Sequence, residues 1–270
     1  SEDALLRLGD GLHVWYSKFH HIANDGHGHS VVTATVAAAY NSLCSGGRLP
    51  DLERRPYAEF LRDDREYAAS VRFRADEDFW RSRFAAMPEP LPFTSRKHAL
   101  RGDPLRTERC SLALHRLVYN ALLKSCEEAG VTPAQFLLAV LLAYLNRVTG
   151  RDDMVVGMPV LNRSNHAFRQ TAGMFMNMMP LRMRIPKDST VFGLARSLAA
   201  EVRTCFRHQR FPLGEILRHC RSLDGFCQCV YDVTFVYRKL DYDMRFGGST
   251  IRPITLDPQS REETLSLEID

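Results

Sequence analysis

Residues 19–26 read Phe-His-His-Ile-Ala-Asn-Asp-Gly. Within one turn of chain they offer a titratable imidazole, a carboxylate and a backbone amide. Acyl transfer uses that set: a group to manage the nucleophile's proton, a group to fix the imidazole, and a donor for a developing oxyanion. His21 is the candidate reactive residue. Imidazole titrates near neutrality, which suits it either to take a nucleophile's proton or to orient the nucleophile by hydrogen bonding, and both roles stay open. His20 is expected to pack and hydrogen-bond beneath the loop. Asp25 is expected to hold the loop through an ion pair, because a buried carboxylate without a partner is costly. Gly26 is expected where the backbone approaches the substrate closely, its N–H serving as an oxyanion donor.

Leu12 to Phe19 alternates and is rich in Val, Trp, Tyr and Phe, which predicts a strand. From His27 or Ser30 the period changes, and Val31, Val32, Thr35, Val36, Ala39, Tyr40 and Leu43 mark one helical face, ended by Gly46-Gly47. The histidine motif therefore lies on a strand-to-helix turn with Asp25-Gly26 at the bend, where helix-start amides favour negative charge. A charged helical stretch follows from Tyr57 to about Phe84. Met87 to Pro92 breaks it with three prolines, and is the expected lobe boundary, dividing residues 1–92 from residues 93–270. Helical spacing returns from Leu117 to Ala129.

Thr132, Pro133 and Gln135 form a helix start, with a cap, a proline at the first position and a capping box. The helix they open is apolar nearly all round, which places it centrally. Met154 to Val160 reads as a buried strand, Thr190 to His208 as an amphipathic helix and Cys229 to Tyr237 as an alternating strand. Helices and strands interleave, so the class is α/β.

At 270 residues and 45% hydrophobic, the chain has enough apolar surface for a sizeable core. A net charge of +4, with basic residues scattered among 32 acids, argues against nucleic acid as a partner. Seven cysteines without regular spacing, and no signal-peptide order at the start, predict reduced thiols in a cytoplasm. The longest apolar run, Phe136 to Leu145, is half the roughly 20 residues of a bilayer span, so no membrane association is expected. The chain opens on Ser1, as though cut from a longer polypeptide. Neither His27 with His29, nor His219, Cys220, Cys227 and Cys229, has the companion ligands of a metal site, and none is expected. The run Met174, Met176, Met178, Met179 reads at least half as core. The basic residues Arg96, Lys97, Arg101, Arg106 and Arg109 read as a solvated face.

His20 to Gly26 matches the HHxxxDG signature of nonribosomal peptide synthetase condensation domains, and the resemblance extends along the chain. Tyr57 to Phe60 (YAEF) resembles the family's Y-x-D/E-F block, and Val156 to Arg163 (VGMPVLNR) its VGxPVxxR strand. Gly173 to Asn177 with Pro180, Leu181 and Arg182 resembles its GxFxN…PLR block. His208 to Pro212 resembles its HQxxP block, and Tyr231 to Phe235 a later core strand. Family blocks expected before the histidine motif are missing and the C-terminal lobe looks short, so the chain resembles a partial domain.

The resemblance implies a two-lobed fold related to chloramphenicol acetyltransferase, with mixed sheets flanked by helices and an active site at the lobe interface. It implies amide formation between a donor acyl or peptidyl thioester and the amine of an acceptor aminoacyl thioester. Both substrates ride phosphopantetheine arms of upstream and downstream carrier domains, beside an adenylation domain, and no tightly bound cofactor takes part. It makes Arg163 the expected partner of Asp25 and places Asn177 in a substrate tunnel. Within the family, epimerisation members add blocks not found here, and cyclisation members replace the histidines with an aspartate pair. The remaining alternatives are a non-catalytic docking domain of the same fold and a stand-alone acyl-CoA acyltransferase.

Overall fold

The alternation of residues 12–19 becomes strand β2 (Leu12–Lys18), which pairs antiparallel with β1 (Glu2–Gly9) in a two-stranded sheet. β1 has no clean alternation of its own and was not expected from the sequence pattern. Its signal is the Asp10-Gly11 pair between the strands, with Gly11 at φ 77, a dipeptide favoured in tight hairpin turns. In this computed structural model, residues 1–51, 55–92, 108–224, 229–238, 244–252, 254 and 265–269 are described. Arg96, Lys97, Arg101, Arg106 and Cys227 lie outside them.

Backbone contacts divide the chain into two units. One comprises Ser1–Ser70, Leu161–Met176 and Asp241–Pro253; the other comprises Val71–Val160, Asn177–Leu240 and Ile254–Asp270. The division does not fall at Met87–Pro92, because Phe84 and Leu91 belong to the second unit's core. Neither unit is continuous in sequence, so a composition break cannot mark their boundary.

In the first unit, α1 (Gly26–Cys44) follows the histidine motif and α2 (Tyr57–Ala68) carries the YAEF block. A short helix, α6 (His166–Arg169), lies within the segment after the VGMPVLNR strand. The apolar face expected on α1 is only partly covered. Ala37 and Gly28 are buried, whereas Val36, Tyr40 and Leu43 are exposed. Tyr40 packs on Phe246 of the small hairpin β6 (Arg245–Phe246) and β7 (Ser249–Thr250), with ring centroids 5.4 Å apart. Asn41 fastens that hairpin by donating to the Arg245 carbonyl at 2.8 Å.

The expected single helical stretch from Tyr57 is two helices, α2 and α3 (Val71–Arg83). They break where Ser70 turns its hydroxyl and its N–H back onto the Tyr67 carbonyl, at 2.7 and 2.9 Å, a side-chain bond that competes with helix continuation.

The second unit is built on a four-stranded mixed sheet of order β4-β3-β5-β8, made of β3 (Asp153–Val160), β4 (Asn177–Arg184), β5 (Val233–Tyr237) and β8 (Leu265–Ile269). β3 pairs antiparallel with β4 and parallel with β5, which pairs parallel with β8. Gly157 of β3 faces the Tyr231 ring, which would lie 2.6 Å from a β-carbon there. The motif glycine is therefore a packing requirement.

Helices α4 (Arg116–Glu128), α5 (Pro133–Thr149), α7 (Val191–Phe206) and α8 (Leu213–Asp224) belong to the same unit. α5 starts with the predicted capping box of Thr132 and Gln135 and ends at Gly150 in the left-handed conformation, φ 71. It packs against α7, and its Leu138, Leu141, Leu142 and Leu145 lie in the core of the unit. Its outer side is not enclosed as expected: Val140, Tyr144 and Val148 are exposed. Of the methionine run, Met179 is in the core and Met178 packs against it.

Candidate active site

Asp25 is the N-cap of α1, and its Oδ1 accepts the Gly28 N–H at 2.7 Å. Arg163 reaches the same carboxylate with both guanidinium arms, Nη2 to Oδ1 at 2.9 Å and Nη1 to Oδ2 at 2.8 Å. The amides of Phe175 and Met176 donate to Oδ2, each at 3.0 Å. Both charged side chains are 1% exposed. Burial alone would push the Asp25 carboxyl up. The Arg163 guanidinium and the Gly28 and Phe175 amides outweigh it, and hold the group below its usual range. A carboxylate accepting this many hydrogen bonds has no lone pair left for proton transfer.

Asn162, just before Arg163, has a φ of 50, a left-handed conformation that asparagine tolerates. Arg163 then also donates from Nε to the Phe168 carbonyl at 3.1 Å, and its guanidinium carbon lies 4.2 Å from the centre of the Phe175 ring. Phe60, Phe168 and Phe175 form a buried cluster, with Tyr57 packed against it. The Tyr57 hydroxyl donates to the Met174 carbonyl. Four of the sequence blocks, carrying Asp25, Tyr57 with Phe60, Arg163, and Gly173 with Phe175, thus make one anchor.

That anchor ends just before the histidines. His20 and His21 are both exposed. His20 is not packed beneath the loop as expected. Its Nδ1 instead accepts the Ile22 N–H at 3.1 Å, while its carbonyl accepts the Ala23 N–H at 2.9 Å, closing a tight turn in which a neighbouring N–H lies within the ring's reach. Among the described residues, the His21 ring has no protein partner. Gly26 opens α1, and a β-carbon there would meet nothing within 4 Å. Neither its backbone conformation nor its neighbours require a glycine. Crowding requires two other glycines that the motif reading did not single out as steric: Gly28, against Asn24, and Gly173, whose β-carbon would stand 2.2 Å from the Tyr57 ring.

The polar atoms of Asn177, expected from the resemblance to face a substrate tunnel, are bonded within the second unit. Nδ2 donates to the carbonyls of Gln209 and Phe211 at 2.9 and 2.8 Å, and Oδ1 accepts from Met178 and Leu213 at 3.0 and 3.3 Å. It locks the HQRFP turn to the start of β4. The same turn is held from α3. Trp80 donates to the His208 carbonyl at 3.0 Å, and the His208 ring bonds the buried Asp76 carboxylate at 2.7 Å while stacking on Phe79.

No three His, Cys, Asp or Glu side chains among the described residues come together as metal ligands. Burial pushes the Cys126 and Cys205 thiols up, away from thiolate chemistry. Among the described residues, no single helix is long and apolar enough to cross a membrane.

The chain is similar in sequence and in fold to known proteins. Residues 3–251 match the family model for the condensation domain. The chain is 31% identical over 258 residues to isonitrile lipopeptide synthase of Streptomyces coeruleorubidus, covering 94% of this chain and 17% of that protein. It is 26% identical to surfactin synthase subunit 1 of Bacillus subtilis (strain 168), over 95% of this chain and 7% of that one. Among solved structures, the first condensation domain of the calcium-dependent antibiotic (CDA) synthetase superposes with a TM-score of 0.80 at 27% identity, covering 92% of this chain and 54% of that one. The starter condensation domain of rhizomide synthetase, in complex with C8-CoA, superposes at 0.78 with 30% identity, covering 91% and 55%. The chain thus spans about half the length of the solved domains it matches. With its sequence blocks, its mixed α/β fold and its matched span in agreement, the chain belongs to the condensation-domain family.

Proposed function

We propose that this chain takes part in nonribosomal peptide synthesis as an acyltransferase. It joins a donor acyl or peptidyl thioester to the amine of an acceptor aminoacyl thioester, each carried on the phosphopantetheine arm of a carrier domain. The observation that carries this reading is the exposed His21 imidazole on a turn whose far end is anchored by the buried Asp25–Arg163 pair.

The chemistry asks little of the protein. An α-amino group with a pKa of about 7.7–8.0 is partly neutral near neutrality, and a thiolate with a pKa of about 8.5 leaves readily. Positioning two tethered reactants and removing one proton as the C–N bond forms supply most of the rate. His21 serves the amine, as base or as hydrogen-bonding guide. Asp25 and Arg163 hold the loop and do not react. Gly26 offers its N–H to the oxyanion, at a helix start where α1 favours developing negative charge. The working partners are upstream and downstream carrier domains and an adenylation domain in a cytoplasmic synthetase, in keeping with the large synthases that the chain resembles over a small share of their length.

The test uses carriers loaded with defined acyl and aminoacyl groups, followed by intact-protein mass spectrometry. The expected result is transfer of the donor mass onto the acceptor carrier. Both thioesters remaining unchanged, with a competent condensation domain active under the same conditions, would overturn the assignment. A second reading changes only the donor. The matched rhizomide starter domain is described in complex with C8-CoA, so a soluble acyl-CoA in place of the donor carrier belongs in the same assay.

A further inference from the structure

We propose that Asn24 and Gly28 are a size-matched pair that positions the His21 turn; the inference rests on the acyl-transfer reading above. Asn24 is a buried polar side chain, 8% exposed. Its Oδ1 accepts the Gly173 N–H at 2.9 Å, while the Asp25 N–H donates back to the Gly173 carbonyl at 3.2 Å. That same Oδ1 lies 1.8 Å from where a β-carbon on residue 28 would stand, and the Gly173 nitrogen lies 3.0 Å from it. Glycine at 28 is what leaves room for the Asn24 amide. Any larger residue there evicts the amide from its bond.

The eviction has one direction to go. Asp25 is pinned by Arg163, Gly28, Phe175 and Met176. Gly173 is backed by the Tyr57 ring, 2.2 Å from the place of its own missing β-carbon. Displacement of Asn24 is therefore taken up on its N-terminal side, by Ala23, Ile22 and His21, where the turn is closed only by the Ala23-to-His20 and Ile22-to-His20 bonds. A misplacement of about 1 Å at a reacting group is enough to cost on the order of a hundredfold in rate. Asn24 and Gly28 are thus positioning residues, acting through His21.

The pair makes a reciprocal prediction. In Gly28→Ser the new side chain collides with Asn24. In Asn24→Ala the Gly173 N–H loses its acceptor. In the double variant the serine occupies the vacated space, with its hydroxyl next to the same N–H. Three readouts are taken on the full chain: folded fraction from thermal melts, amide hydrogen exchange at residues 20–25 and at Gly173, and kcat and KM for amide formation. Each single variant is expected to raise exchange at these amides and to lower kcat about a hundredfold with KM unchanged. The double variant is expected to recover both, a coupling that independent sites do not show. Wild-type exchange in the single variants, or a double variant no better than either single, would overturn the pairing. The exchange data decide the pairing even where no amide forms. Reciprocal exchange in an inactive wild-type chain would reject the acyl-transfer reading while keeping the Asn24–Gly28 coupling.

Discussion

A carboxylate and a histidine four residues apart have opposite environments, and that contrast divides the labour in the candidate site. Asp25 is sealed in and spends its lone pairs on five hydrogen bonds. His21 is left in the open. Gly26 poses a sharper question, because the space around its missing β-carbon is empty. On the proposed reading, that space is where the substrate carbonyl approaches the Gly26 N–H. Gly26→Ala is expected to leave stability within about 0.5 kcal/mol of wild type, as for a substitution that disturbs no contact. It is expected to slow amide formation about a hundredfold by holding the substrate carbonyl away from the N–H. A thermal melt and a single-turnover assay on the same preparation check both halves.

At the scale of elements, the helix start of α1 and the segment from Leu161 to Met176 are one construction held by one ion pair. Removing one member of a buried pair leaves the other charged and without its partner, at a cost of about 3–5 kcal/mol. Arg163→Ala is accordingly expected to lower unfolding stability by about that amount in a denaturant titration. Arg163→Lys should restore the charge but not the two-armed geometry, and recover only part. Much of this anchor was legible beforehand. The strand-to-helix turn follows from the change of period at His27 or Ser30, and, in the second unit, the α5 capping box from Thr132, Pro133 and Gln135. The Asp25–Arg163 pair followed from family resemblance. What the pattern could not carry was volume. Gly28 against Asn24 and Gly157 against Tyr231 are contacts between distant or unpatterned positions, and spacing encodes neither. The bonding of Asn177 was illegible for a related reason: an asparagine in a motif does not declare that its amide will bond the carbonyls of Gln209 and Phe211.

Across the whole molecule, two carboxyls among the described residues are depressed, Asp25 in the first unit and Asp153 in the second. Asp25 is kept low in the first unit, where burial opposes the effect and its hydrogen bonds prevail. Asp153 is kept low in the second, chiefly by its hydrogen bond from Arg182 and against the effect of burial. Both titrate below the value of about 3.9 expected for an unfolded aspartate. Their stabilisation is therefore complete above that pH, and is lost as pH falls through the folded values, when the folded state must take up protons it resists. The expected melting profile is flat with respect to these two groups from neutrality to about pH 4 and falls below it. Asp153→Asn and Asp25→Asn should each lower the plateau and flatten the fall. A profile whose acid limb is unchanged in both variants would contradict the assignment. The division into units, interrupted at Ser70, Val160, Met176, Leu240 and Pro253, was the least legible feature. A discontinuous unit leaves no compositional seam, and the prolines of residues 87–92 mark a local break inside the second unit.

The most direct measurement is the single-turnover rate of amide formation by His21→Ala, compared with wild type on the same loaded carriers. His21 is exposed and its ring has no hydrogen-bond partner among the described residues, so the variant should melt with the wild-type chain, while its rate falls by about 10²–10⁴-fold as expected for losing a positioned acid–base group. A folded His21→Ala chain that forms the amide at the wild-type rate would contradict the central claim.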